Sequence, residues 1–311
     1  MPGTTDVMKH ELTPLLMKFE EAMGYTNAVG KDYAALFEAL HLRASRIGVP
    51  YPEGSHSWHA FQTGANYAYL CYPNLPLELR VYSGIFTWLA IIVDDGGKKD
   101  PEEWHQFIPR FLAGAAQHNR LAQEWDRWLR LAFEYYSPTA ANFIITSSLN
   151  FTNACALEGS ELPQMTRTAG GENFADYLRD KNGLAEAYAW MTFPRTACPN
   201  ISSYIEAVPD IIKYICFTND ILSFYKEERV LETDNYMHIR ASYEGTGVNE
   251  VLRQVIEETV SAHRRIALVL DGKEPYGQLW SDHALGFIAF HKTSERYKLR
   301  EIGLNESLPK S

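Results

Sequence analysis

Residues 77–93 are almost continuously apolar, with Val81, Ile85, Phe86, Trp88, Leu89, Ile91, Ile92 and Val93 leaving no broad polar face. The run is too long for a strand and reads as a helix buried on all sides, which other helices must cover. It passes directly into Asp94-Asp95-Gly96-Gly97-Lys98-Lys99-Asp100. Two adjacent carboxylates behind an apolar run are costly without a partner that neutralises them. Gly96-Gly97 predicts the end of the helix there. A helix C-terminus is also the unfavourable end for negative charge. A bound cation answers both objections; a plain polar loop is the alternative. Asp100-Pro101-Glu102-Glu103 has the form of a helix start, so Asp100 reads as a cap first and a metal ligand second.

The rest of the chain repeats the helical signal. Residues 6–24 carry Met8, Leu12, Leu15, Leu16, Phe19 and Met23 at helical spacing, and residues 32–47 and 56–72 follow suit. Residues 101–135 read as one or two helices rich in tryptophan. Helices are predicted at 137–158, at 173–192 with a break at Gly183, at 210–229, at 247–270 and at 282–302. The polar, glycine-bearing stretch 230–246 reads as a mobile flap. There is no internal repeat, linker-like composition shift or alternating strand pattern. The expectation is one all-α domain over residues 1–311.

Charge narrows the partners. A formal net charge of −10 argues against a nucleic-acid surface, and an acidic chain that binds a polyanion needs a local cationic pocket or a metal. Cys71, Cys155, Cys198 and Cys216 lack metal-ligand spacing, and no His-Glu-x-x-His pattern occurs. Met1 to Asp6 has no charged and apolar leader, and no apolar run reaches membrane length. A cytoplasmic protein with reduced thiols, no nucleic-acid partner and no membrane span is expected.

The second informative stretch is Asn219-Asp220-Ile221-Leu222-Ser223-Phe224-Tyr225-Lys226-Glu227. Asn219, Ser223 and Glu227 recur every fourth residue, so they lie within about 80° on one helical face, with Lys226 beside them. Three hard oxygen donors suit Mg²⁺ or Mn²⁺ rather than zinc. A solvated polar stripe is the alternative. If this stripe faces the carboxylate pair at the end of 77–93, the two can hold divalent ions between them and grip a diphosphate. Ionisation of a carbon–oxygen bond is the chemistry such a site favours.

These motifs resemble those of class I terpene synthases, and most closely the fungal trichodiene synthase group. The second motif of that class, Asn-Asp-x-x-Ser-x-x-Lys-Glu, is matched at every defined position by Asn219 to Glu227. Asn182-Gly183-Leu184 and Arg296-Tyr297-Lys298-Leu299 resemble further stretches of the group in order and spacing, so the likeness spans residues 60–302. The resemblance implies a helical bundle around a central apolar cavity. It implies that Asp94 binds metal, that Asn219, Ser223 and Glu227 hold another, and that Arg179, Lys226, Arg296 and Tyr297 bind diphosphate. Arginine can donate two parallel bonds to phosphate oxygens, and lysine acts as a point charge. For Arg179 and Arg296 the residues alone leave open a surface ion pair with the adjoining Asp180 and Glu295.

The resemblance further implies a cluster of about three Mg²⁺ ions, with Mn²⁺ an alternative, a prenyl diphosphate substrate and a homodimer. One departure stands out. The class places a further acid three or four positions after the first aspartate, and here Gly96-Gly97-Lys98-Lys99 fills that span. Asp95 could meet an arginine on closure, and the two lysines could meet diphosphate or solvate the loop. The single aspartate-rich motif separates the chain from chain-elongating prenyltransferases, which carry two. Candidate pocket aromatics are Phe61, Phe86, Trp88, Phe151 and Tyr188, with Tyr67, Thr87, Trp190, Ile215, Cys216 and Phe290 as further options and core packing as their alternative. Gly183 could turn backbone carbonyls toward the cavity. The expected function is a sesquiterpene synthase acting on farnesyl diphosphate. The alternatives are a cyclase for geranyl or geranylgeranyl diphosphate, or a catalytically silent prenyl-diphosphate-binding protein.

Overall fold

The computed structural model describes residues 4–28 and 30–308, with side chains described from Lys9 onward. The opening Met1–Gly3 and the Met8 side chain of the predicted first helix therefore lie outside the described residues. The helices, in chain order, are α1 (Thr4–Ala22), α2 (Tyr33–Ile47), α3 (His56–Cys71), α4 (Leu77–Lys99), α5 (Pro101–His105), α6 (Phe107–Ala113), α7 (Arg120–Arg130) and α8 (Ala132–Tyr135). They continue with α9 (Pro138–Ser160), α10 (Phe174–Asn182), α11 (Ala185–Met191), α12 (Val208–Arg229), α13 (Tyr236–Glu244), α14 (Val248–Leu270) and α15 (Tyr276–Thr293). Among the described residues there is no strand. Local chemistry sets several starts: the side chains of Ser55, Asn119, Ser137 and Asn235 accept from the backbone N–H three residues on.

The apolar run behaves as its composition demands. α4 is enclosed by α2, α3, α7 and α9, and Ile85, Phe86, Trp88, Leu89 and Val93 are fully buried. Each such side chain contributes about 1.5–3 kcal/mol of burial. Three buried indole N–H groups at and around α4 are satisfied: Trp128 donates to the Tyr82 carbonyl at 3.0 Å, Trp125 to Thr152 Oγ1 at 2.9 Å and Trp88 to Ser57 Oγ at 3.1 Å. The second long central helix, α12, has its own neighbours, α11, α14 and α15, and the two helices form opposite walls of the interior.

Several boundaries differ from expectation. α4 does not stop at Asp94; it continues to Lys99. The glycines are there for proximity, not termination. A Cβ on Gly97 would meet Cys155 Cβ at 2.5 Å, and one on Gly159 would meet the Lys98 carbonyl at 2.7 Å, so α4 and α9 cross almost backbone to backbone. The macrodipole objection to Asp94 and Asp95 falls away with this, because Lys98 and Lys99 occupy the last turn. Residues 101–135 form four short helices. The stretch 230–246 is not a bare flap, since α13 fills most of it. The last predicted helix runs instead from Tyr276 to Thr293 and is followed by two 3-10 turns, Glu295–Tyr297 and Leu299–Ile302. Among the described residues no helix is long and apolar enough to cross a membrane.

The α4–α9 crossing sets where Asp94 stands relative to α9. Gly97→Ala is expected to lower stability by about 1–3 kcal/mol through overpacking, read as a drop in thermal midpoint. An unchanged midpoint would mean that the crossing is not tight.

Candidate active site

α4, α9, α10, α12 and α13 surround a cavity of about 510 Å³, which Arg296 also lines. A second, deeper hollow of about 220 Å³ continues from it, sharing Ile91, Arg179, Asn182, Gly183, Tyr188, Asn219 and Arg296. Asp94, Asp95 and Lys98 face the larger space from α4, and Asn219, Asp220 and Glu227 face it from α12. Ser223, Lys226 and Tyr297 line the deeper one. The structure thus brings the two half-sites to one hollow.

On the α4 wall, Asp94 is not alone. Lys98 bridges it at 3.2 Å to Glu158 of α9 at 3.0 Å, and the Cys155 thiol donates to Asp94 Oδ1 at 3.5 Å. Burial works against the Lys98 charge, but Asp94 and Glu158 overcome it and hold the ammonium protonated. Burial pushes the Cys155 thiol well up, so it stays a thiol. Glu158 also accepts from Asn182 Nδ2 at 2.6 Å, which ties α9 to α10. Asn182 Oδ1 is buried with no hydrogen-bond partner among the described residues. Asp95 lies 3.1 Å from the exposed His56. Lys99 and Asp100 are exposed and line neither hollow; Asp100 takes the cap position of α5 without a side-chain cap bond.

The opposite wall is held by Arg179. Its Nε donates to both oxygens of Asp220 at 2.9 Å, and its Nη2 donates to the Cys216 carbonyl at 3.0 Å and to Asn219 Oδ1 at 3.3 Å. Its partner is therefore not Asp180, which binds Lys181 at 2.8 Å. Burial pushes the Asp220 carboxyl up to about 6 although Arg179 pulls it down. A Cβ on Gly183 would meet Arg179 Nη1 at 2.5 Å, so this glycine makes room for the guanidinium. The helix break predicted there is real, but the left-handed residue is Leu184, at φ 54°. Such a conformation in a non-glycine residue beside a site costs on the order of 1–3 kcal/mol.

The α12 stripe is not a solvated one. Ser223 is 2% exposed and donates to the Asn219 carbonyl at 2.7 Å, which leaves its oxygen lone pairs free to accept. Lys226 lies 3.4 Å from Glu227. Among the described residues no three His, Cys, Asp or Glu side chains are grouped as a metal site. The oxygens available are instead those of an amide, a hydroxyl and carboxylates, which fit a hard divalent ion and not zinc. Arg296 is exposed, and the nearby pair is formed by Arg300 and Glu295 at 3.9 Å, not by Arg296. Tyr297 is buried, its hydroxyl pushed up to about 12 by burial, and its ring packs against His291 at a tilt of 42°, with centroids 4.2 Å apart.

The aromatic expectations divide. Phe151 and Tyr188 line the larger cavity, and Tyr67, Thr87, Tyr188, Ile215 and Phe290 line the deeper one. Phe61, Phe86 and Trp88 do not; they are core residues. Phe61 and Trp88 pack edge to face at 5.7 Å, and Phe86 lies behind Tyr188 at 5.6 Å. Trp190 and Cys216 also line neither hollow. Glu158 and His291 gave no signal in the sequence. Their partners are distant in the chain, and neither sits in a recognisable motif.

Comparison with known proteins gives the fold and the family. The crystal structure of a linalool/nerolidol synthase from Streptomyces clavuligerus in complex with 2-fluorogeranyl diphosphate superposes with a TM-score of 0.65, covering 87% of this chain and 97% of the other at 11% identity. That likeness carries the fold alone. In sequence, the chain is 37% identical over 276 residues to longiborneol synthase of Gibberella zeae, covering 88% of this chain and 81% of the relative. It is 36% identical over 293 residues to terpene synthase BipA of Cochliobolus sativus, covering 93% and 90%, and 31% identical over 273 residues to alpha-cuprenene synthase of Coprinopsis cinerea, covering 86% and 82%. The molecule is a class I terpene cyclase, an enzyme acting on a prenyl diphosphate. Residues 57–309 match the trichodiene synthase (TRI5) family, and the chain belongs to it.

The Arg179–Asp220 pair is nearly buried, with side-chain exposures of 13% and 12%. Asp220→Asn leaves a buried guanidinium without its counter-charge, so a loss of about 3 kcal/mol in unfolding free energy is expected by denaturant titration. A loss below about 0.5 kcal/mol would place the pair in effective contact with solvent.

Proposed function

We propose that the chain is a sesquiterpene synthase that binds farnesyl diphosphate with Mg²⁺, ionises it, cyclises the resulting cation and releases a sesquiterpene and diphosphate. The observation that carries this reading is the pair of adjoining hollows: Asp94, Asn219 and Glu227 line the larger, Ser223 and Lys226 line the smaller, and Asn219, Arg179 and Arg296 line both. The named activities of the longiborneol and alpha-cuprenene synthases point the same way.

In this reading Asp94 would hold divalent metal on one wall, and Asn219 Oδ1, Ser223 Oγ and Glu227 would hold another ion on the other. Mg²⁺, when bound, supplies charge stabilisation for the departing diphosphate. The chain's own cations do the rest at that end. Arg179 presents a planar fork that stays protonated at any physiological pH, and Lys226, Arg296 and Tyr297 add donors around the same opening. Below them the wall changes character. Ile91, Ile215, Phe287 and Phe290 exclude water, so a cation formed there is not quenched. The faces of Tyr67, Tyr188 and Phe290 offer cation–π attraction, about 0.5–2 kcal/mol each. Diphosphate itself can accept the final proton.

Lys98 modifies the picture on the α4 side. It already bridges Asp94 and Glu158 and offsets one of their two charges, so a metal ion approaching Asp94 has to displace it or share the carboxylate. Lys98→Ala is expected to tighten Mg²⁺ binding by about fivefold, the equivalent of one exposed ion pair, measured calorimetrically with inorganic diphosphate present. Weaker Mg²⁺ binding in the variant would mean that Lys98 supports the metal site and does not compete with it.

The activity test is incubation with Mg²⁺ and each of geranyl, farnesyl and geranylgeranyl diphosphate, with products read by gas chromatography and mass spectrometry. A sesquiterpene from the farnesyl substrate is expected. EDTA and Glu227→Ala should each remove at least about 100-fold of turnover without changing the helical circular dichroism signal. Diphosphate binding without any terpene product would make the chain a binding protein. Terpene from the geranyl or geranylgeranyl substrate alone would reassign the substrate.

A further inference from the structure

We propose that His291 is a positioning residue that fixes which end of the Asn219 amide faces the site. The inference rests on the reading of Asn219 as a metal ligand and goes one step deeper. An asparagine offers an oxygen that can hold a cation and an NH₂ that repels one, and the two ends have nearly the same shape. Something must choose between them.

Here three contacts make the choice. His291 Nδ1 lies 2.7 Å from the main-chain carbonyl of Phe287, one turn earlier in α15. A carbonyl only accepts, so Nδ1 carries the proton and Nε2 of the neutral ring is an acceptor. Nε2 lies 3.1 Å from Asn219 Nδ2, which donates to it. On the other side Arg179 Nη2, a donor only, lies 3.3 Å from Asn219 Oδ1. The histidine takes the NH₂ and the arginine faces the oxygen, so flipping the amide would break both bonds at once. The ring cannot easily turn away, because it is fully buried and clamped between Phe287 at 4.6 Å and Tyr297 at 4.2 Å. Groups that orient a metal ligand from behind in this way matter nearly as much as the ligand itself. The site thus reaches one residue beyond the α12 motif, onto α15.

The test uses Mn²⁺ and inorganic diphosphate, with free Mn²⁺ followed by its electron paramagnetic resonance signal, so that no turnover is required. His291→Leu is expected to weaken Mn²⁺ binding by about 10–100-fold. His291→Gln, which can still donate to the Phe287 carbonyl and accept from Asn219, should recover most of that loss. In the Asn219→Asp background the cost of His291→Leu should largely disappear, because a carboxylate presents an oxygen whichever way it turns. An equal loss in both backgrounds would mean that His291 acts by packing alone and would overturn the proposal. If Leu prevents folding, the wild-type chain still decides. Nitrogen NMR of the metal-free protein should show the proton on Nδ1 of His291, and a proton on Nε2 would overturn the assignment. Asn219→Ala separates the two layers of argument. Unchanged Mn²⁺ binding there removes the ligand reading itself, whereas weakened binding there with intact binding in His291→Leu removes only the positioning role.

Discussion

The structure depends on keeping charge paired at the edge of a cavity whose interior is apolar. Moving a carboxylate or guanidinium out of water without a partner costs several kcal/mol. Around this opening the charges meet that requirement within α4, where Lys98 pairs with Asp94, and above all between helices. Lys98 joins Asp94 to Glu158, Glu158 joins Asn182, and Arg179, one turn before Asn182, joins Asp220 and Asn219. The links run from α4 to α9 to α10 to α12. They fix the rim where hydrophobic packing, which has no direction, could not.

Much of this was legible in the chain. The unbroken apolar run announced a helix enclosed on all sides, and fourth-residue spacing put Asn219, Ser223 and Glu227 on one face. The misreadings have a common origin. Gly96-Gly97 has the local chemistry of a helix stop, and only the neighbouring Cys155 and Gly159 show that Gly97 permits a close crossing, while Gly96 lies against Trp104. Arg179 stands next to Asp180 in sequence but binds a residue on another helix. A helix that is apolar all round also carries no phase. Phe86, Thr87 and Trp88 are about 100° apart in turn. Nothing in the residues alone says that Thr87 meets the hollow and the two aromatics meet the core.

His291 illustrates a different blindness. A histidine near the end of an apolar helix has no motif around it, and its role comes from a carbonyl one turn back and an amide 72 positions away. Burial holds its pKa far down, to about 3, which is compatible with the neutral ring that the hydrogen bonds require. Local sequence carries propensity and periodicity. It does not carry the identity of a partner brought in by tertiary packing.

The two long central helices share a single arrangement. On α4, Thr87, Ile91, Asp94 and Lys98 follow one another at steps of three or four, and all line the hollows. On α12, Ile215, Asn219, Ser223 and Glu227 do the same. Both stripes pass from apolar to charged along the helix axis. At 1.5 Å per residue, Asp94 stands about 10 Å along the axis from Thr87, and Glu227 about 18 Å from Ile215. Each helix therefore converts a periodic sequence into a depth scale, with the groups that can hold an anion at one end and the water-excluding wall at the other. A reaction that separates a leaving anion from a reactive cation needs this polarity. On these two helices it is built from helical spacing.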